Sequence, residues 1–243
     1  MVSLSQALLR EQEVDFKKCI DYYNQLKLDN SNFSPETTAL FRRAHGFAFT
    51  LGLWITKLEG NQNPAKIYLN QMLSDAIQVM PTVALGDKRG LRLYARAQIE
   101  DALKYVFYCD HPVEFELLQL EPKSHTTMDE LFEWAKRHPI FKLERDSVEL
   151  ALGVLASAYA ELSLTVHATT VKELELSTAV SSLHRPFKDA VSELAKLQGI
   201  FESVTFLLAL FHREIMKNLD LNERALVSQF LSTPQKKILS GLK

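Results

Sequence analysis

The chain has 243 residues, 47% hydrophobic and 24% charged, with 30 acidic residues against 28 basic ones for a net charge of -2. This is an ordinary globular composition, long enough for one large domain or two small ones, and it excludes a chain too polar to build a core. The near balance of charge excludes a strongly basic nucleic-acid coat. The two cysteines, Cys19 and Cys109, form no C-x-x-C pair and exclude a disulfide-dense scaffold.

In chain order, Arg10, Glu11 and Glu13 arrive before any apolar run, so no signal peptide is expected. Ser34-Pro35 and Asn63-Pro64 each set a capping side chain before a proline at the first helical position. Between them Leu40, Phe41, Ala44, Phe47, Ala48, Leu51, Trp54 and Leu58 recur at steps of three and four, the spacing of an amphipathic helix. Its stretch without Asp, Glu, Lys or Arg, Ala44 to Thr56, is too short to cross a bilayer. A reducing cytoplasm and no membrane are the expected setting.

A third segment repeats the pattern with Tyr68, Met72, Leu73, Ala76, Ile77 and Met80, and a fourth with Leu91, Ala95, Leu103, Val106 and Phe107. Gly60 and Gly86 fall at segment ends, where left-handed caps are common. From 111 to 143 the chain reads as an irregular connection, divided by Pro112, Pro122 and Pro139. It holds one short helix, Met128 to Arg137, opened by the capping-box spacing Thr127 to Glu130.

Ser147 to Val166 then reads as the most apolar helix, with small and large residues almost all round it, and is expected at the centre of the bundle. A long helix from Pro186 to Leu219 buries Phe201, Val204, Leu207, Leu208 and Phe211, and short helices follow Asn222 and Pro234. The expected fold is all-α, one multi-helix bundle over 1–243. It comprises N-terminal helices over 1–110, the connection over 111–143, and C-terminal helices over 144–243.

Two polar constellations are candidates for chemistry. Arg96 and Glu100 share a helix face among apolar neighbours, where they must pair because an unpaired buried charge is costly. The pair either locks helices together or forms a polar site inside the bundle. Tyr159, Ser163 and His167 follow at steps of four along the end of the apolar helix, where an imidazole suits acid-base work or a simple cap. Lys88, Arg89, Arg92 and Arg96 form a basic stripe that either meets phosphates or lies in solvent. Cys109-Asp110-His111 has no second ligand pair at metal-site spacing, and no glycine loop or nucleophile elbow occurs. Neither metal nor cofactor is expected.

The run Arg96-Ala97-Gln98-Ile99-Glu100-Asp101-Ala102-Leu103, followed by Asp110-His111-Pro112-Val113-Glu114-Phe115, resembles the "R-x-x-I/L-E" helix of diverged HEPN-like proteins. Tyr159-Ala160-Glu161-Leu162-Ser163-Leu164-Thr165-Val166-His167-Ala168 resembles their "Y-x-x-L-S-x-x-V-H" helix end. Together these span residues 96 to 168, about a third of the chain. The resemblance implies a helical bundle, often dimeric, of the kind found in bacterial defence and toxin-antitoxin systems, where many members are metal-independent endoribonucleases.

The family's nuclease motif is an Arg followed by His after four to six intervening residues. For His167 that Arg would stand at 160, 161 or 162, which hold Ala160, Glu161 and Leu162, and no other histidine has it either. The family's arginine stabilises developing phosphorane charge, usually the larger catalytic term. The expectation is therefore a HEPN-like binding or regulatory component, acting as a homodimer or with a protein partner, with RNA a further possible ligand. The competing expectations are a ribonuclease using Arg96, Glu100 and His167, with Tyr159, Ser163, Arg89 and Arg92 binding the phosphate, and a plain scaffold.

Overall fold

In the computed structural model, residues 4–25, 34–60, 62–121, 123, 125–166 and 189–241 are described. They form α-helices and connections, with no strand among the described residues. The helices are α1 (Leu4–Gln25), α2 (Pro35–Lys57), α3 (Lys66–Ala84), α4 (Lys88–Asp110), α5 (Pro112–Leu120), α6 (Met128–Arg137), α7 (Pro139–Lys142), α8 (Arg145–Val166), α9 (Ala190–Phe211), α10 (Arg213–Asn218), α11 (Leu221–Ser228) and α12 (Thr233–Gly241). The all-α expectation holds.

Local chemistry sets several of the boundaries. The Ser34 hydroxyl accepts the Thr37 N–H, and Pro35 occupies a first-turn position that needs no donor. Asn63 caps the turn leading into α3 rather than α3 itself, its Oδ1 accepting the Ala65 N–H at 2.9 Å. Thr127 and Glu130 close the expected capping box on α6. Gly86 takes φ 70°, the left-handed turn between α3 and α4. Gly60 lies in a turn without that conformation.

The 111–143 connection is mostly helical, in contrast to the expectation. Pro112 and Pro139 sit in the first turns of α5 and α7, so they start helices instead of breaking them. The long C-terminal helix also divides: α9 ends at Phe211, and His212 is both its C-cap and the N-cap of α10.

The core lies where α2, α3, α4, α8 and α9 meet. All eight stripe residues of α2 are buried, and Phe47 stacks on Phe201 of α9 with centroids 4.0 Å apart. On α3, Met72, Ala76 and Met80 are buried, whereas Ile77 is exposed.

The central helix is α9, not α8. Every residue from Ser203 to Leu210 is buried, so α9 meets neighbours on all sides. By contrast α8 buries one stripe, Val148, Ala151, Leu152, Leu155, Ala158 and Leu162, and exposes Leu150, Val154 and Leu164. Both helices are long and apolar enough to span a membrane by length and composition, but the apolar window is 61% buried in α9 and 33% buried in α8.

Candidate functional site

The two helices that carry the family-like motifs, α4 and α8, pack against each other. Arg96 projects from α4 toward α8, where its Nη2 donates to the Tyr159 hydroxyl at 2.9 Å and its guanidinium lies 5.0 Å from the Tyr159 ring centroid. Glu100 holds the same nitrogen from one turn along at 2.9 Å, and Lys104 approaches Glu100 at 3.5 Å. Ser163 turns its hydroxyl back to the Tyr159 carbonyl at 2.7 Å, a local bond that occupies it within its own helix.

Arg96 is 19% and Glu100 23% exposed at the side chain, so the pair sits at the edge of the helix interface. The structure thus brings Arg96, Glu100, Tyr159 and Ser163 into one seam in which the arginine is committed to two partners. Its Nε is buried without a hydrogen-bond partner among the described residues. His167, the proposed general acid or base, lies outside the described residues.

The basic stripe on the first turns of α4 is used differently. Glu193 of α9 is 1% exposed and accepts from Arg92 through Nη2 at 2.6 Å and Nε at 3.2 Å. Lys88 and Lys196 each stand 3.7 Å from the same carboxylate, and Lys88 also bonds Asp189 at 2.9 Å. Arg92 therefore clamps α4 to α9, while Arg89 is exposed on the same helix.

Burial governs the other titratable groups. It pushes the Asp101 carboxyl up to about 7, with Lys104 opposing the rise and Asp75 and Glu100 adding to it. Asp75 on α3 is raised for the same reason, although Gln71 donates to it at 2.7 Å and partly offsets the shift. His212 is pulled down to about 4 by burial and lies 2.7 Å from the Tyr105 hydroxyl. Burial also raises the Cys109 thiol to about 12, Tyr105 partly offsetting it, so the thiol is unsuited to nucleophilic work.

Of the other histidines, His138 meets Asp110 at 2.7 Å, and His111 bonds the Phe107 carbonyl at 2.8 Å while stacking on that ring. Among the described residues, no three of His, Cys, Asp and Glu gather as metal ligands.

A second polar region has no counterpart among the sequence candidates. A cleft of about 450 Å³ opens between α1, α2, α9 and the end of α11, lined by Gln12, Arg42, Arg43, Gln198, Gln229 and Phe230 among others. Arg42 lies 4.1 Å over the Phe16 ring and pairs with Glu13. Arg43 lies 4.2 Å over Phe230 and donates to the Gln229 carbonyl at 2.9 Å. The two arginines are adjacent in sequence on a helix whose buried face is mostly apolar but also holds Thr37, His45 and Thr50. The only available signal was that doublet, and it reads equally well as a solvated helix face.

Compared with known proteins, the chain matches no protein-family model, no curated protein and no solved structure.

Proposed function

We propose that the chain is a HEPN-like helical protein that works by binding, as a regulatory component of a bacterial defence-type system, and that it acts as a homodimer. The observation that carries this reading is the outer face of α8. Leu150 is 73% exposed, and Val154 and Leu164 follow it on a helix whose apolar window is only 33% buried. A shallow groove of about 500 Å³ between α8 and α9 continues this face past Gly153, Ser157 and Gly199. Exposed apolar surface of this kind usually marks an interface.

A second copy of the chain is the occupant because the exposed apolar face is the same on every copy and can meet itself about a two-fold axis. The charges at its two ends, Arg145 and Glu161, are already paired with Glu149 at 2.8 Å and Lys196 at 2.6 Å, so the contact rests on apolar burial. Gly153 has open space where a Cβ would stand, so a neighbouring helix can approach closely.

The juxtaposition of α4 and α8 agrees with the family resemblance, since both motif-bearing helices contribute to one seam. Engagement of Arg96 by Glu100 and Tyr159 favours binding over catalysis, because a nuclease arginine must be available to the phosphate.

The test is the mass of the purified chain by light scattering, together with RNA binding by anisotropy. A dimer that Leu150→Glu converts to a folded monomer supports the reading. A monomeric wild type that binds no RNA and no product of neighbouring genes overturns it.

A further inference from the structure

We propose that the cleft between α1, α2, α9 and α11 is a binding site for the oxyanion group, phosphate or carboxylate, of a small molecule. Its cation is built into the fold. Arg43 is fixed by Phe230 on one side and the Gln229 carbonyl on another. Its Nε–H is shielded from water and has no hydrogen-bond partner among the described residues. Burial disfavours the charge and Glu202 only partly restores it. A guanidinium so placed has one carbonyl and no bonded carboxylate for its five N–H donors among the described residues, and a planar fork is the group best matched to a phosphate or carboxylate.

The remaining lining is suited to the same ligand. Gln12, Gln198 and Gln229 present amides to the cleft, and the Gln229 amide spends one hydrogen on Gln12 Oε1 at 3.3 Å. The carboxylate at the rim, Glu13, is already paired with Arg42 and so opposes an incoming anion less than a free one would. Leu9, Phe16 and Leu194 give the organic part of a ligand apolar surface, and about 450 Å³ is within the range of small-molecule pockets.

Gly46 lets the walls of the cleft close on α2. A Cβ there would stand 2.8 Å from Gln12 Nε2 and 3.2 Å from Phe230 Cζ, so both side chains pack against bare backbone at this position. Nearby, His45 is buried and donates to Asp15 at 2.8 Å, which helps hold α1 against α2 along the cleft. This site shares no residue with the α8 face, and either can fail while the other stands.

Calorimetric titration of the full chain with inorganic phosphate and, separately, with succinate tests the proposal. Saturable binding of one or both is expected, with phosphate alone assigning a phosphate ester and succinate alone a carboxylate. Arg43→Lys keeps the charge but loses the fork, and should weaken binding at least about tenfold. Gln198→Glu, at an exposed rim position, adds a repelling carboxylate and should weaken it similarly even if Arg43→Lys does not fold. Absence of binding of either anion up to about 10 mM, or binding unchanged in the folded variants, overturns the proposal.

Discussion

The α4–α9 clamp and the α1–α2–α11 cleft each hold a half-buried arginine, yet they satisfy it differently. At the clamp, Arg92 faces a carboxylate that is itself 1% exposed, and two lysines complete the neutralisation of Glu193. At the cleft, Arg43 has an aromatic ring and one carbonyl; Glu202 acts on it only through space, and Glu13 is taken by Arg42. The first arrangement is closed and serves stability; the second leaves donors over and serves recognition. A half-buried arginine therefore points to recognition when no carboxylate is bonded to it, not merely because it is shielded from water.

The contrast is sharpest if the closed cluster is opened. Glu193→Ala leaves Arg92 beside two lysines without their carboxylate, and urea denaturation should show a loss of about 3 to 5 kcal/mol. A loss below about 1 kcal/mol would place this cluster with ordinary surface pairs and erase the distinction.

The next effect is one of pH. The Asp101 carboxyl, raised to about 7, stays protonated in the fold after the unfolded chain has ionised, so its contribution falls as pH rises from about 4 to 7. His212, lowered to about 4, stays neutral in the fold while the unfolded imidazole charges below about 6.5, so its contribution falls as pH drops from 6.5 to 4. The two slopes oppose each other across the same window. Asp101→Asn should expose the histidine slope, with stability dropping on acidification by at most about 1.4 kcal/mol per unit. An acid limb identical to that of the wild type would remove Asp101 from the account.

Smaller changes probe the cleft and the seam. Gly46→Val should cost about 1 to 3 kcal/mol by calorimetry, since the Phe230 ring must give way, and it should weaken anion binding by displacing Gln12 and Phe230 from the wall of the cleft. Tyr159→Phe removes the hydroxyl that accepts from Arg96 and should cost about 1 kcal/mol, leaving the Glu100 pair in place.

Periodicity made much of the fold legible. The stripe from Leu40 to Leu58 is buried as spaced, and α6 begins and ends where its capping box and prolines place it. Two expectations fail, each for its own physical reason. Pro112 and Pro139 punctuate the chain but open helices, since a first-turn position needs no N–H. The exchange of α8 for α9 as the central helix arose because Gly153, Ala156 and Ala160 raise apolar character without requiring burial, and all three are exposed.

Within the candidate site, Arg96 and Glu100 were legible because their spacing is local. The partner of Arg92 lies 101 residues away and that of Arg43 lies 186 away, and no local pattern encodes either. Long-range pairing is where reading a single sequence stops.

The central claim, that Arg96 closes a seam instead of cutting RNA, is tested most directly by incubating the chain with single-stranded RNA in a chelating buffer and following cleavage on a gel. No cleavage above buffer is predicted, for the wild type and Arg96→Ala alike. Metal-independent cleavage by the wild type that disappears in a folded Arg96→Ala variant would contradict the account.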